Sequence, residues 1–170
     1  IWIIVVGEAF EMAAKNRLSA VFGKRERKLL AVYFTAGFPE LHDTVPICQE
    51  LEKNGVDLIE MGVPFSDSLV DGPTIQASHE RALKNGMTLE VLFGQLAQIR
   101  TSVSVPLVLM SSLNPIMCYS MERFAADCRR VGVDGVIIPD LPPEYFSPYA
   151  ELFAAEMLSV IFLVTAHTPV

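Results

Sequence analysis

Five short, uninterrupted apolar runs, at residues 29–35, 56–62, 106–110, 135–139 and 160–164, constrain this chain more than any other feature. Between them lie segments, at 44–54, 73–85, 89–100, 121–131 and 144–156, in which apolar residues recur every third or fourth position. A run with no polar alternation suits a strand covered on both faces, and the three-to-four spacing suits an amphipathic helix. Strand and helix in alternation require crossover connections, which are right-handed and make the sheet parallel. The stretches 55–64 (GVDLIEMGVP) and 132–139 (GVDGVIIP) form a weak internal repeat, each opening on a glycine where a helix C-cap is expected. No Gly-rich GxGxxG or Walker-type loop follows the first run. The pattern therefore predicts an α/β chain of the (β/α)8 barrel class, with about five parallel strands and its active-site loops at their C-terminal ends, over an open doubly wound sheet.

A length of 170 residues, 51% of them hydrophobic, supplies one core and not two. The formal charge of −7 argues against a nucleic-acid footprint, so an anionic substrate has to be met locally by backbone amides or helix N-termini. Cys48, Cys118 and Cys128 lack any CxxC or Cys/His ligand spacing, so no metal site is expected and they read as small apolar side chains in a reducing cytoplasm. His42, His79 and His167 are scattered and read as surface or capping positions. The apolar residues 1–6 fall far short of the ~20 needed to span a bilayer, and no basic stretch marks a secretory signal. Residues 1–11 precede the first methionine, Met12, and are expected to be a non-native or disordered extension of one domain at 12–170.

Carboxylates gather around the second run. A side-chain period of two puts Leu58, Glu60 and Gly62 on one face and Asp57, Ile59 and Met61 on the other. Glu60 then lies near the C-terminal end of a buried strand, where barrel enzymes keep their chemistry. A structural ion pair is the alternative, but none of the five runs between its apolar residues offers an obvious cation to complete one. An unpaired carboxyl in apolar surroundings has a raised pKa, which suits a group that gives and takes protons near neutrality. Asp71 precedes Gly72-Pro73, so on spacing alone it serves the start of the next helix, and Asp67 looks first like a turn residue.

The segment 58–76 (LIEMGVPFSDSLVDGPTIQ) resembles the signature of the tryptophan synthase alpha chain family, as do 33–39 (YFTAGFP), 114–116 (NPI) and 131–143 (VGVDGVIIPDLPP). The resemblance implies a carbon–carbon lyase that splits indole-3-glycerol phosphate into indole and glyceraldehyde 3-phosphate in tryptophan biosynthesis. It implies a cytoplasmic alpha2-beta2 complex in which pyridoxal phosphate belongs to the beta chain and the alpha chain has no cofactor. Glu60 matches the family's general acid/base and Asp71 the aspartate facing the indole N–H. Tyr33 matches an aromatic pocket position, while Pro64, Asp67 and Asn114 match loop residues facing the beta partner. Asp140 lies in a family pattern but receives no catalytic role.

The match departs from the family at Ser68, usually proline, at Val70, usually alanine, and at Ser112 and Leu113, often tyrosines. A full barrel takes ~250 residues, so the chain reads as the N-terminal part of one, with the phosphate-binding loops beyond it and no activity expected of the 170 residues alone. Two other functions fit the same residues: a non-catalytic subunit that docks on and regulates a beta chain, and a stand-alone lyase that releases free indole.

Overall fold

The computed structural model describes residues 16–23, 28–68 and 71–163; the expected extension at 1–11, together with Val70 and His167, lies outside them. Five strands, β1 (Ala31–Thr35), β2 (Leu58–Gly62), β3 (Leu107–Met110), β4 (Gly135–Ile137) and β5 (Ser159–Ile161), form one sheet in the order β1-β2-β3-β4-β5. Every neighbouring pair is parallel. Strand order that follows chain order without reversal is the arrangement of a barrel wall and excludes the doubly wound alternative, whose order reverses at a switch point.

The helices are α1 (Arg17–Gly23), α2 (Thr44–Lys53), α3 (Pro73–Lys84), α4 (Leu89–Ile99), α5 (Leu113–Tyr119), α6 (Met121–Val131), α7 (Pro143–Phe146) and α8 (Ala150–Ala155). Their ends follow local chemistry. Pro73 opens α3, the Thr88 hydroxyl accepts the Val91 N–H at 3.2 Å before α4, and Gly132 closes α6 in the left-handed region at φ +78°. The single helix expected at 144–156 is instead α7, a 3-10 turn at Ser147–Tyr149 and α8. Pro148 lies in that turn, where its missing N–H and fixed φ interrupt a continuous helix.

The sheet has two different faces. Ile59, Met61, Leu107, Leu109 and Val136 point outward against α4, α6 and α8, packing with Leu92, Leu96, Ile99, Phe124 and Phe153. Each such side chain is essentially inaccessible, and its burial contributes ~1.5–3 kcal/mol. The opposite face carries a smaller cluster of Leu58, Val108 and Ile137, closed by Leu18 of α1, with Phe22, Met110, Ile161 and Leu163 beside it. Gly135 makes room for this plug: a Cβ there would stand 3.2 Å from Cδ2 of Leu18 and 3.1 Å from the Ser159 carbonyl oxygen.

The internal repeat has a structural meaning. Asp57 accepts the backbone N–H of Leu30 at 2.9 Å, and Asp134 accepts that of Leu107 at 3.0 Å. Each aspartate also donates its own N–H to the carbonyl of the same residue, at 2.9 Å in both cases. One device, used twice, sets the register where a new strand joins the preceding one. Asp134 is 1% exposed and further holds Arg17 and Arg100 at 3.1 Å each, while Arg100 Nη1 donates to the Val103 and Val105 carbonyls at 2.9 Å.

Candidate active site

Glu60 is the middle residue of β2 and lies on the sheet face opposite the helices, as the period of two requires. Tyr33 is its register partner on β1 and Val108 on β3. The carboxyl is half-buried and has no hydrogen bond or ion pair among the described residues; burial alone raises its pKa. The structural ion pair that competed for this residue is therefore absent among them, and the group is poised to be protonated closer to neutrality than an ordinary glutamate.

The Tyr33 side chain rises from β1 across Gly62: a Cβ on that glycine would meet its Cζ at 2.8 Å. Its hydroxyl lies 3.3 Å from Nε2 of His79 on α3. The phenol is pushed up to about 12, first by burial, against a lowering hydrogen bond from Thr35, and further by the charges of Asp71 and Glu60. Tyr33 thus stands within the field of both candidate carboxylates. Thr35 itself meets the Ser78 hydroxyl at 2.7 Å, so two side-chain bonds fasten α3 to β1 beside the site.

Asp71 is half-buried at the end of the β2–α3 loop. The residue at the N-cap of α3 is Gly72, and no side chain caps that helix, so the helix-start role read from spacing does not hold. The physical reason is the extended Gly72 at φ −75°, ψ 168°, which sets Pro73 at the first helical position and leaves Asp71 one residue too early. The Asp71 carboxylate instead accepts the hydroxyl of Ser68, a residue that is 6% exposed. Gln76 donates to both the Ser68 and Asp71 carbonyls at 3.1 Å and clasps the loop from α3. Ser68, one of the departures in the sequence, thereby gains a defined contact.

The three positions expected on loops separate: Asp67 is exposed on the β2–α3 loop, Asn114 is exposed but lies in the first turn of α5, and Pro64 is buried just beyond β2 and offers a partner little surface. Its apolar ring follows the buried Gly62 and Val63 into the interior. Asp140 accepts the Leu113 N–H at 2.8 Å and ties its own loop to the start of α5, which accounts for it without catalysis. An open cleft of about 750 Å³ lies between the β2–α3 loop and α3, lined by Asp67, Ser68, Gln76 and Lys84 among others. Neither Glu60 nor Tyr33 lines it.

His79, read as a surface or capping residue, is 4% exposed, whereas His42 is exposed as expected. Its position was available in the sequence: it lies four residues after Ile75 and three before the buried Ala82, on the inner stripe of α3. Cys48 and Cys128 are buried, but Cys118 is exposed on α5. Among the described residues no three His, Cys, Asp or Glu side chains gather into a metal-holding group, and no helix is long and apolar enough to cross a membrane.

Comparison with known proteins agrees with this geometry. Residues 20–170 match the family described as Tryptophan synthase alpha chain. The chain is 53% identical over 146 residues to the tryptophan synthase alpha chain of Flavobacterium johnsoniae, covering 85% of this chain and 58% of that one. It is 47% identical over 154 residues to that of Parabacteroides distasonis, covering 90% and 60%. Among solved structures, tryptophan synthase of Mycobacterium tuberculosis superposes with a TM-score of 0.85 at 32% identity, covering 91% of this chain and 61% of that one. The alpha chain of Legionella pneumophila gives 0.81 at 36% identity, covering 86% and 56%. The chain spans 58–60% of the length of the two curated relatives named. With its sequentially ordered parallel sheet and a match running from residue 20 to residue 170, the chain belongs to the tryptophan synthase alpha chain family.

Proposed function

We propose that the whole protein cleaves indole-3-glycerol phosphate by a retro-aldol reaction, with Glu60 as the acid/base. The observation that carries this reading is a carboxyl on the interior face of β2 with no partner among the described residues, raised in pKa by burial and flanked by Tyr33. Protonated Glu60 delivers its proton to C3 of the indole ring, leaving positive charge on the ring nitrogen. The resulting carboxylate takes the proton of the side-chain hydroxyl next to that carbon. The carbon–carbon bond breaks, its electrons restore the aromatic ring, and the alcohol carbon becomes the aldehyde. One carboxyl begins and ends protonated.

Asp71 supplies a fixed negative charge for the cationic nitrogen, and Tyr33 gives the ring an aromatic wall. Asp67, exposed on the β2–α3 loop, and Asn114, exposed in the first turn of α5, are the positions we assign to a tryptophan synthase beta chain. One of the similar structures is a tryptophan synthase of M. tuberculosis in an aminoacrylate-bound form, at 32% identity and a TM-score of 0.84. We place the phosphate of the substrate outside the residues described, so the 170-residue polypeptide alone is expected to lack turnover.

The test is an assay of the whole protein for indole and glyceraldehyde 3-phosphate, with and without a beta chain. Stoichiometric release of both products supports the lyase. No release under either condition, with beta activity raised by the alpha protein, rejects it in favour of a regulatory subunit.

A further inference from the structure

His79 is the buried titratable group that the proposed reaction leaves without a role. The residue is 4% exposed, and its Nδ1 is sealed from solvent with no partner of hydrogen-bond geometry among the described residues. Burial lowers the pKa of the ring, and the Asp71 charge and the Phe65 backbone oppose that fall. The one side-chain hydrogen bond of the ring among the described residues is with the Tyr33 hydroxyl at Nε2, and a phenol that donates there requires a bare Nε2, which puts the proton of the neutral ring on Nδ1. Nε2 is then an acceptor, and at 3.3 Å the Tyr33 hydroxyl is its donor.

The consequence reaches Glu60. Tyr33 and Glu60 are register partners, and the phenol lies across Gly62, two residues further along the same face. A ring held at its far end by α3 shields the carboxyl from water; a ring released from α3 does not. We propose that His79 is a positioning residue whose unprotonated Nε2 holds the Tyr33 hydroxyl, so that the phenol walls the pocket beside Glu60. This inference rests on the lyase reading for its purpose but not for its test. The groups facing His79 are Asp71 from the β2–α3 loop and Tyr33 from β1, and Asp71 and Glu60 both act on Tyr33.

The experiment uses the whole protein, with ¹⁵N-labelled histidine and ¹³C-labelled glutamate, followed by NMR across pH. The ring spectrum of His79 is expected to show a protonated Nδ1 and a bare Nε2. Tyr33→Phe, which removes one oxygen, is expected to raise the His79 midpoint by roughly 0.5–1 pH unit, because the neutral ring loses its donor. His79→Leu is expected to lower the Glu60 midpoint as water gains access, and His79→Gln, whose amide oxygen can accept the same proton, to restore it. Leu and Gln both lack the imidazole charge, so recovery of the Glu60 midpoint in His79→Gln separates the lost hydrogen bond from the lost charge. A protonated Nε2, or a Glu60 midpoint unmoved in a folded His79→Leu chain, overturns the proposal. Should that variant not fold, an unmoved His79 midpoint in Tyr33→Phe overturns it equally. Absence of lyase turnover would instead sink the proposed function and leave these spectra untouched.

Discussion

Tyr33 and Glu60 stand opposite one another on adjacent parallel strands, so a phenol and a carboxyl rise side by side from one face of the sheet. The arrangement depends on Gly62, over which the phenol lies.

Gly62→Ala is therefore expected to destabilise the chain by about 1–3 kcal/mol, since the new methyl would stand 2.8 Å from Tyr33 Cζ and the ring is held by α3. Adding Tyr33→Ala should remove the clash, so the double variant is less destabilised than the sum by about 1 kcal/mol or more. Urea unfolding of the four proteins measures this. Strict additivity would mean that the ring does not occupy that space.

The raised pKa of Glu60 links stability to pH. In the folded chain the group holds its proton to a higher pH than in the unfolded chain, so its contribution is fully present below the ordinary glutamate pKa. That contribution is lost as pH rises through the folded value. Glu60→Gln cannot ionise. Its melting temperature relative to the parent is expected to climb between pH 4 and pH 8. A difference that stays flat or falls over that range would show that the carboxylate is not penalised by burial.

The sequence made the strand order and the face of Glu60 legible because both follow from short-range periodicity: continuous apolar runs, and alternation within β2. What escaped it did so for identifiable reasons. Helices α1 and α5 are seven residues each, under two full turns, too short for an apolar stripe to repeat. The break before α8 comes from one proline inside an otherwise acceptable helical pattern. Asp134 read only as part of a repeat, because its partners Arg17, Arg100 and Leu107 come together through the register of β3 and β4 and not through spacing. Asp71 was misassigned by a single position, the difference between preceding the N-cap and being it.

Asp134→Ala should cost about 3–5 kcal/mol, because it leaves Arg100, whose side chain is 13% exposed, without its carboxylate, and strips the acceptor from the Leu107 N–H. Chemical denaturation checks the value. A loss below about 1 kcal/mol would mean that water or the surrounding carbonyls satisfy the arginine unaided.

Asp71→Asn keeps the shape of the side chain and its ability to accept from Ser68 while removing the charge. With no helix cap to lose, the melting temperature is expected to stay nearly constant. Turnover in the whole protein is expected to fall by about 100-fold or more. Lost stability with turnover preserved would return Asp71 to a purely structural role.

The most direct test of the account is Glu60→Gln in the whole protein, assayed for cleavage of indole-3-glycerol phosphate and for its binding. The amide preserves the shape of the carboxyl but cannot shuttle a proton, so turnover should fall by about 100-fold or more while affinity stays within about tenfold. Retention of more than about a tenth of the parent turnover would contradict the assignment of Glu60 as the acid/base.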